Sequence, residues 1–150
     1  MGKLFIVYAS LTGNTEEIAE LIAEGAGENA GEVKLVSCKD MNSTEILEHD
    51  GVLMGLYTWG DGEVPDEFIN LYEELDGMNL TGIQAAVFGS GDLAYAQFCG
   101  AVDLVERKLR ERGASIVQES LKIEFHPEGE EKERCRQFGR RAAELLAGVD

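Results

Sequence analysis

The sequence reads as an α/β protein: a single doubly wound domain with an open five-stranded parallel sheet covered by helices on both faces. Three observations predict this. Continuous apolar runs recur along the chain, as strands buried on both faces require. Each is followed by a stretch of helical length or by a helical turn. The connections between them are short, and strands alternating with helices argue for an open parallel sheet. The 150 residues, 44% of them hydrophobic, suit one domain over 1–150 with a substantial core.

The elements follow in order. Lys3–Ala9 (KLFIVYA) is a buried strand, and Thr15–Glu28 a helix with Ile18, Leu21 and Ile22 on one face. Glu32–Ser37 (EVKLVS) is more polar and suits a sheet edge. Ser43–Glu48 reads as a helical turn capped by Ser43 or Asn42. Gly51–Thr58 (GVLMGLYT) is a buried strand, and Pro65–Leu75 a helix with proline in its first turn. Gln84–Gly89 (QAAVFG) is a third buried strand. Phe98–Arg112 is a helix ending at Gly113. Ser115–Glu124 reads as one long strand and Gly129–Leu146 as the last helix, whose mixed charges suit a solvated face with pairs at helical spacing.

The net charge is −16, from 13 basic and 29 acidic residues. Such a field repels nucleic acid and anionic membranes and steers the chain toward basic partner surfaces. Plain solubility would also account for it. No segment is long and apolar enough to span a membrane and the N-terminus lacks a signal-peptide pattern, so the chain reads as cytoplasmic. Cys38, Cys99 and Cys135 are odd in number and widely spaced, which argues against disulfides, zinc and iron–sulfur clusters. His49 and His126 have no companion at a recognisable spacing and read as surface residues.

The richest signal is Ser10-Leu11-Thr12-Gly13-Asn14-Thr15, directly after the first strand. A strand-to-helix turn aims bare amides and a positive dipole end at whatever lies above it. Hydroxyls at Ser10, Thr12 and Thr15 add donors, and Gly13 permits close backbone approach. The run suits one phosphate held without lysine or arginine. A nucleoside-triphosphate loop would need its lysine, and a dinucleotide fingerprint three spaced glycines. An ordinary helix cap remains the plainer alternative. Ligands in open parallel sheets bind beyond the carboxyl ends of the strands. There the third strand leads into Tyr57-Thr58-Trp59-Gly60-Asp61, and the fourth into Gly89-Ser90-Gly91-Asp92 and onward to Tyr95. Trp59 and Tyr95, on neighbouring loops, could sandwich a flat ring; covering the end of the core is the alternative.

These segments resemble the flavodoxins. Ser10–Thr15 is similar to their Ser/Thr-x-Thr-Gly-x-Thr phosphate signature, Tyr57–Asp61 to their second flavin loop, and Gly89–Asp92 through Tyr95, Phe98 and Cys99 to their third. The likeness runs through nearly the whole chain. Without a long insertion in Ser115–Glu124, it is to the short-chain type. It implies the flavodoxin-like strand order 2-1-3-4-5 and tightly but non-covalently bound flavin mononucleotide (FMN). Ser10, Thr12, Asn14, Thr15 and Thr58 would hold the phosphate together with the loop amides, Leu11 and Gly13 included. Trp59 would cover the inner ring face and Tyr95 the outer. Backbone around Asp92 and Cys99 would hydrogen-bond the ring's pyrimidine edge, with Ser90, Gly91 and Phe98 also at the cofactor. Tyr57 departs from relatives with a small serine, so no phosphate contact is carried over to its hydroxyl.

The resemblance implies a low-potential one-electron carrier, not an enzyme, that shuttles between neutral semiquinone and hydroquinone. A flip of the Gly60–Asp61 peptide would offer a carbonyl to the protonated flavin N5; glycine permits the positive φ this needs. Stacked aromatics and the carboxylates of Asp61, Glu63, Asp66, Glu67 and Asp92 would disfavour the anionic reduced ring. Redox proteins with basic docking surfaces would be the partners: a flavodoxin/ferredoxin reductase, and acceptors of the cytochrome P-450 or desaturase type. The carrier is expected to be a monomer. A phosphoacceptor receiver domain would need an aspartate at Thr58, acidic residues at Ser10-Leu11 and a lysine near Ile123-Glu124, and is excluded. A flavin-dependent quinone or azo reductase would want a further segment, and a flavin-free sensor would leave the aromatic pair without purpose.

Overall fold

Successive side chains on a strand point to opposite faces, so a strand covered on both sides must be apolar at odd and even positions alike. The computed structural model, which describes residues 2–28, 30–58, 62–92 and 99–147, shows this in β1 (Lys3–Tyr8) and β3 (Gly51–Tyr57). Phe5, Val7, Val52 and Met54 face one core, against Phe68 and Leu71 of helix α2 (Asp66–Glu74) and Val102, Val105 and Leu109 of α3 (Gly100–Glu111). Leu4, Ile6 and Leu53 face the other, against Ile18 and Ile22 of α1 (Asn14–Ala26) and Phe138, Ala142 and Leu146 of α4 (Glu130–Ala147). Burying each such large side chain contributes about 1.5–3 kcal/mol.

The sheet is parallel throughout. Strand β2 (Glu32–Ser37) is one edge, then come β1, β3 and β4 (Gln84–Gly91). The edge role of β2 explains its polar composition. The fifth position departs from the single strand expected over Ser115–Glu124. It holds two short strands, β5 (Ser115–Ile116) and β6 (Leu121–Glu124), each paired with β4. Ser115 pairs with Gln84 and Leu121 with Phe88, so six residues of one strand run opposite four of the other. The two extra residues form a bulge, a common device on an edge strand. The Gln118 side-chain amide secures it by donating to the Phe138 carbonyl (3.0 Å).

Other boundaries move by a residue or two. The turn over Ser43–Glu48 is 3₁₀, and Asn42 is its cap: Asn42 Oδ1 accepts from the Thr44 amide (3.2 Å) while Glu45 returns to the Asn42 amide (3.0 Å). Helix α3 starts at Gly100; Phe98, the expected start, lies outside the described residues. His49 is half-buried rather than on the surface, its ring 4.7 Å from that of Phe5. His126 is exposed as expected.

Helices α1 and α4 meet backbone to backbone. A Cβ on Gly139 would strike the Ile22 carbonyl, and one on Gly25 the Arg136 carbonyl. Arg136 to Glu24 (3.0 Å) and Arg140 to Glu28 (2.8 Å) flank this seam, so the charges of α4 pair with α1 as well as within their own helix. The contact bears on the site because α1 begins in the Ser10–Thr15 turn. Alanine at 139 gains about 1 kcal/mol of helix propensity but forces the helices apart. We expect Gly139→Ala to lower stability by about 1–2 kcal/mol net in urea unfolding; a raised midpoint would show that the seam is loose.

Candidate cofactor site

Strand order reverses between β1 and β3, and a ligand crevice is expected there beyond the carboxyl ends, a rule of which flavodoxins are themselves a stock example. A cavity of about 150 Å³ occupies that place. This is roughly the share of five liquid waters, room for a phosphoryl group and part of its chain. Ser10, Leu11, Thr12, Asn14 and Thr15 line it from the first turn, Tyr57 and Thr58 from the end of β3, Ser90, Gly91 and Asp92 from the end of β4, and Cys99 from the start of α3. Of the expected site residues among those described, all but Gly13 line this one cavity. Trp59, Gly60, Asp61, Tyr95 and Phe98 lie outside the described residues.

The turn is held by its own side chains. Gly13 takes φ +91°, the left-handed region that glycine enters freely, and a Cβ there would meet nothing within 4 Å. Conformation, rather than crowding by the protein, is what requires glycine. Ser10 Oγ accepts from the amides of Gly13 (3.1 Å) and Glu16 (3.2 Å). The helix-cap reading is therefore correct for Ser10 as far as it goes. The amides of Leu11, Thr12, Asn14 and Thr15 make no hydrogen bond within the described chain. A capped helix with these donors still unpaired suits an anion.

Thr15 and Ser90, 1% and 4% exposed, lie 2.8 Å apart hydroxyl to hydroxyl. They bind the first turn to the end of β4 across the switch point. Thr58 Oγ1 accepts from the Ala101 amide (3.4 Å), which leaves its proton for another partner. No Lys or Arg among the described residues lines the cavity; its charged lining residue is Asp92. The Tyr57 phenol is held above its ordinary range by burial and by the carboxylates of Glu67 and Asp66, so those α2 carboxylates lie close enough to act on it. Burial pushes the Cys99 thiol up to about 12 and those of Cys38 and Cys135 to about 11, so none is a ready nucleophile.

Phe125 also lines the cavity, and sequence reasoning missed it. It follows β6 directly, so searching the end of the last strand as well as the first, third and fourth would have found it. Among the described residues no group of three His, Cys, Asp or Glu could hold a metal ion, and no helix is long and apolar enough to cross a membrane.

A doubly wound parallel sheet of this order, with an uncharged turn of amide and hydroxyl donors at its switch point, has the flavodoxin-like fold. The flavodoxin family model matches residues 6–139. Probable flavodoxin 2 of Bacillus subtilis is 49% identical over 144 residues, 95% of each chain. The flavodoxin of Maridesulfovibrio salexigens is 43% identical over 87% of this chain and 92% of its own. The crystal structure of oxidised flavodoxin 1 from Bacillus cereus superposes with a TM-score of 0.92 at 43% identity, covering 96% of this chain and 99% of that one. The chain belongs to the flavodoxin family. Flavodoxins are electron-transfer proteins that use FMN, and are not enzymes.

Removing one partner of the Thr15–Ser90 pair strands a buried hydroxyl. We expect Thr15→Val to cost about 1–3 kcal/mol in urea unfolding of the flavin-free protein. Adding Ser90→Ala should recover part of the loss; a double variant as unstable as the sum of the singles would mean the pair is not coupled.

Proposed function

We propose that this flavodoxin carries single electrons on non-covalently bound FMN, between the neutral semiquinone and hydroquinone states, to redox proteins with basic docking surfaces. The observation that carries the reading is the cavity at the switch point, with its unpaired amides and neutral hydroxyls and no cationic side chain. That donor set fits one phosphate ester. When bound, FMN supplies reversible one-electron chemistry; the chain supplies position, hydrogen bonds and field.

In this reading Ser10, Thr12, Asn14, Thr15 and Thr58 and the amides of Leu11, Thr12, Asn14 and Thr15 hold the phosphate. Gly13 gives the turn its shape, and Ser90 fixes Thr15. Trp59 and Tyr95 cover the two ring faces. Backbone around Asp92 and Cys99 would meet the pyrimidine edge, with Gly91 and Phe98 also at the cofactor, and the Gly60–Asp61 peptide would turn its carbonyl to accept a hydrogen bond from flavin N5–H. Asp92 at the cavity wall and Asp66 and Glu67 at the start of α2 add negative potential that disfavours an anionic ring. Residues 1–150 act as one FMN-binding domain, a cytoplasmic monomer. The net charge of −16 speeds encounter with basic partners, a reductase as donor and P-450-type or desaturase proteins as acceptors.

Dithionite titration of the FMN-loaded protein tests this. We expect two separated one-electron steps with a long-wavelength neutral-radical band at the midpoint. Gly60→Pro, which bars positive φ, should lower the radical yield; an unchanged yield would remove the peptide flip from the account. Steady NAD(P)H oxidation by the protein alone would instead favour a reductase.

A further inference from the structure

We propose that Phe125 walls the open side of the FMN cavity against water and so sets how tightly the cofactor is held. The inference rests on the FMN reading above.

Four observations carry it. First, Phe125 lines the same cavity as Ser10, Thr12 and Asp92, although it belongs to none of the three loops that supply the other walls. Second, its backbone is left-handed, φ 58°. Among the described residues only Cys99 shares that state without being glycine, and Cys99 lines the cavity too. A bulky side chain there is strained, and such strain gathers at functional sites. Third, the strained residue is anchored. Its amide donates to the Gly91 carbonyl (2.9 Å), continuing the β6–β4 pairing one residue beyond Glu124, and the next side chain, His126, stands 3.8 Å from Glu17 in the first turn of α1. Fourth, Phe125 is 51% exposed and Leu11, which lines the same cavity, 61%. Two of the four exposed large apolar side chains among the described residues thus stand at this one place. Apolar side chains grouped at a cavity mouth imply something that covers them.

The chemistry supplies a reason. A phosphate held by neutral donors has no cation to offset its charge, and the chain's net charge repels it. Hydrogen bonds to it must be strong, and they strengthen as water leaves and the local dielectric falls. An aromatic wall at the open side removes water without adding charge. Glycine would fit the backbone better but would leave the side open, so the wall is kept despite the strain.

The test compares wild type with Phe125→Gly and Phe125→Leu. Flavin-fluorescence titration of the apoprotein gives the FMN dissociation constant. Phosphorus NMR of bound FMN, with a neutral soluble relaxation agent, reports water access to the phosphate. We expect Phe125→Gly to weaken FMN by about tenfold and to broaden the phosphorus line more than in wild type. Phe125→Leu should stay within about threefold of wild type, since an apolar wall remains. The thermal midpoint of apo Phe125→Gly should equal or exceed that of wild type, because glycine relieves the left-handed backbone. A Phe125→Gly variant with unchanged affinity, or with an unchanged phosphorus line, overturns the proposal. A wild-type chain that binds no FMN at all would overturn the functional reading, and this inference with it.

Discussion

An anion bound by an acidic protein needs short-range attraction to exceed long-range repulsion. That constraint organises the proposed site. Repulsion from a net charge of −16 is spread over the surface and screened beyond about 8–10 Å by salt. Amides and hydroxyls at hydrogen-bond distance in a partly enclosed cavity act locally and are screened little. The Ser10–Thr15 turn concentrates such donors, and the two-sided sheet holds it still: β1 is buried on both faces, and α1, which starts in the turn, is locked to α4 through Gly25 and Gly139. The same negative field that opposes the phosphate also opposes negative charge on the ring. The arrangement therefore suits a carrier of strongly reducing electrons, with the surface charge left free to guide partners.

The sheet does more than support the turn. The Thr15–Ser90 hydroxyl pair joins it to the end of β4, and Thr58 at the end of β3 caps the start of α3. The first turn is thereby tied to β4 and the end of β3 to α3, which orders these donors before a ligand arrives. Preorganisation of this kind reduces the cost of binding.

Much of this was legible in the sequence. Lys3–Ala9, Gly51–Thr58 and Gln84–Gly89 are short, continuously apolar runs that fit buried parallel strands, and the polarity of Glu32–Ser37 suits the edge it occupies. The Ser10–Thr15 turn announces its chemistry in its side chains. The split of the last strand was not legible, because a bulge is set by pairing with β4 and leaves no local mark in Val117–Ser120. His49 was misjudged because its partner, Phe5, is distant in sequence. Phe125 escaped notice because nothing nearby asks for a left-handed backbone; a glycine there would have drawn the eye, and a phenylalanine does not.

The most direct measurement of the central claim is the dissociation constant of FMN and apoprotein as sodium chloride rises from about 0.01 M to about 0.3 M, a range that shortens the screening length from roughly 30 Å to under 10 Å. If neutral donors alone grip the phosphate, screening removes only the repulsion between ligand and acidic chain, and affinity should hold steady or improve. Affinity that fell steeply with salt would reveal a cationic side chain in the grip and contradict the account.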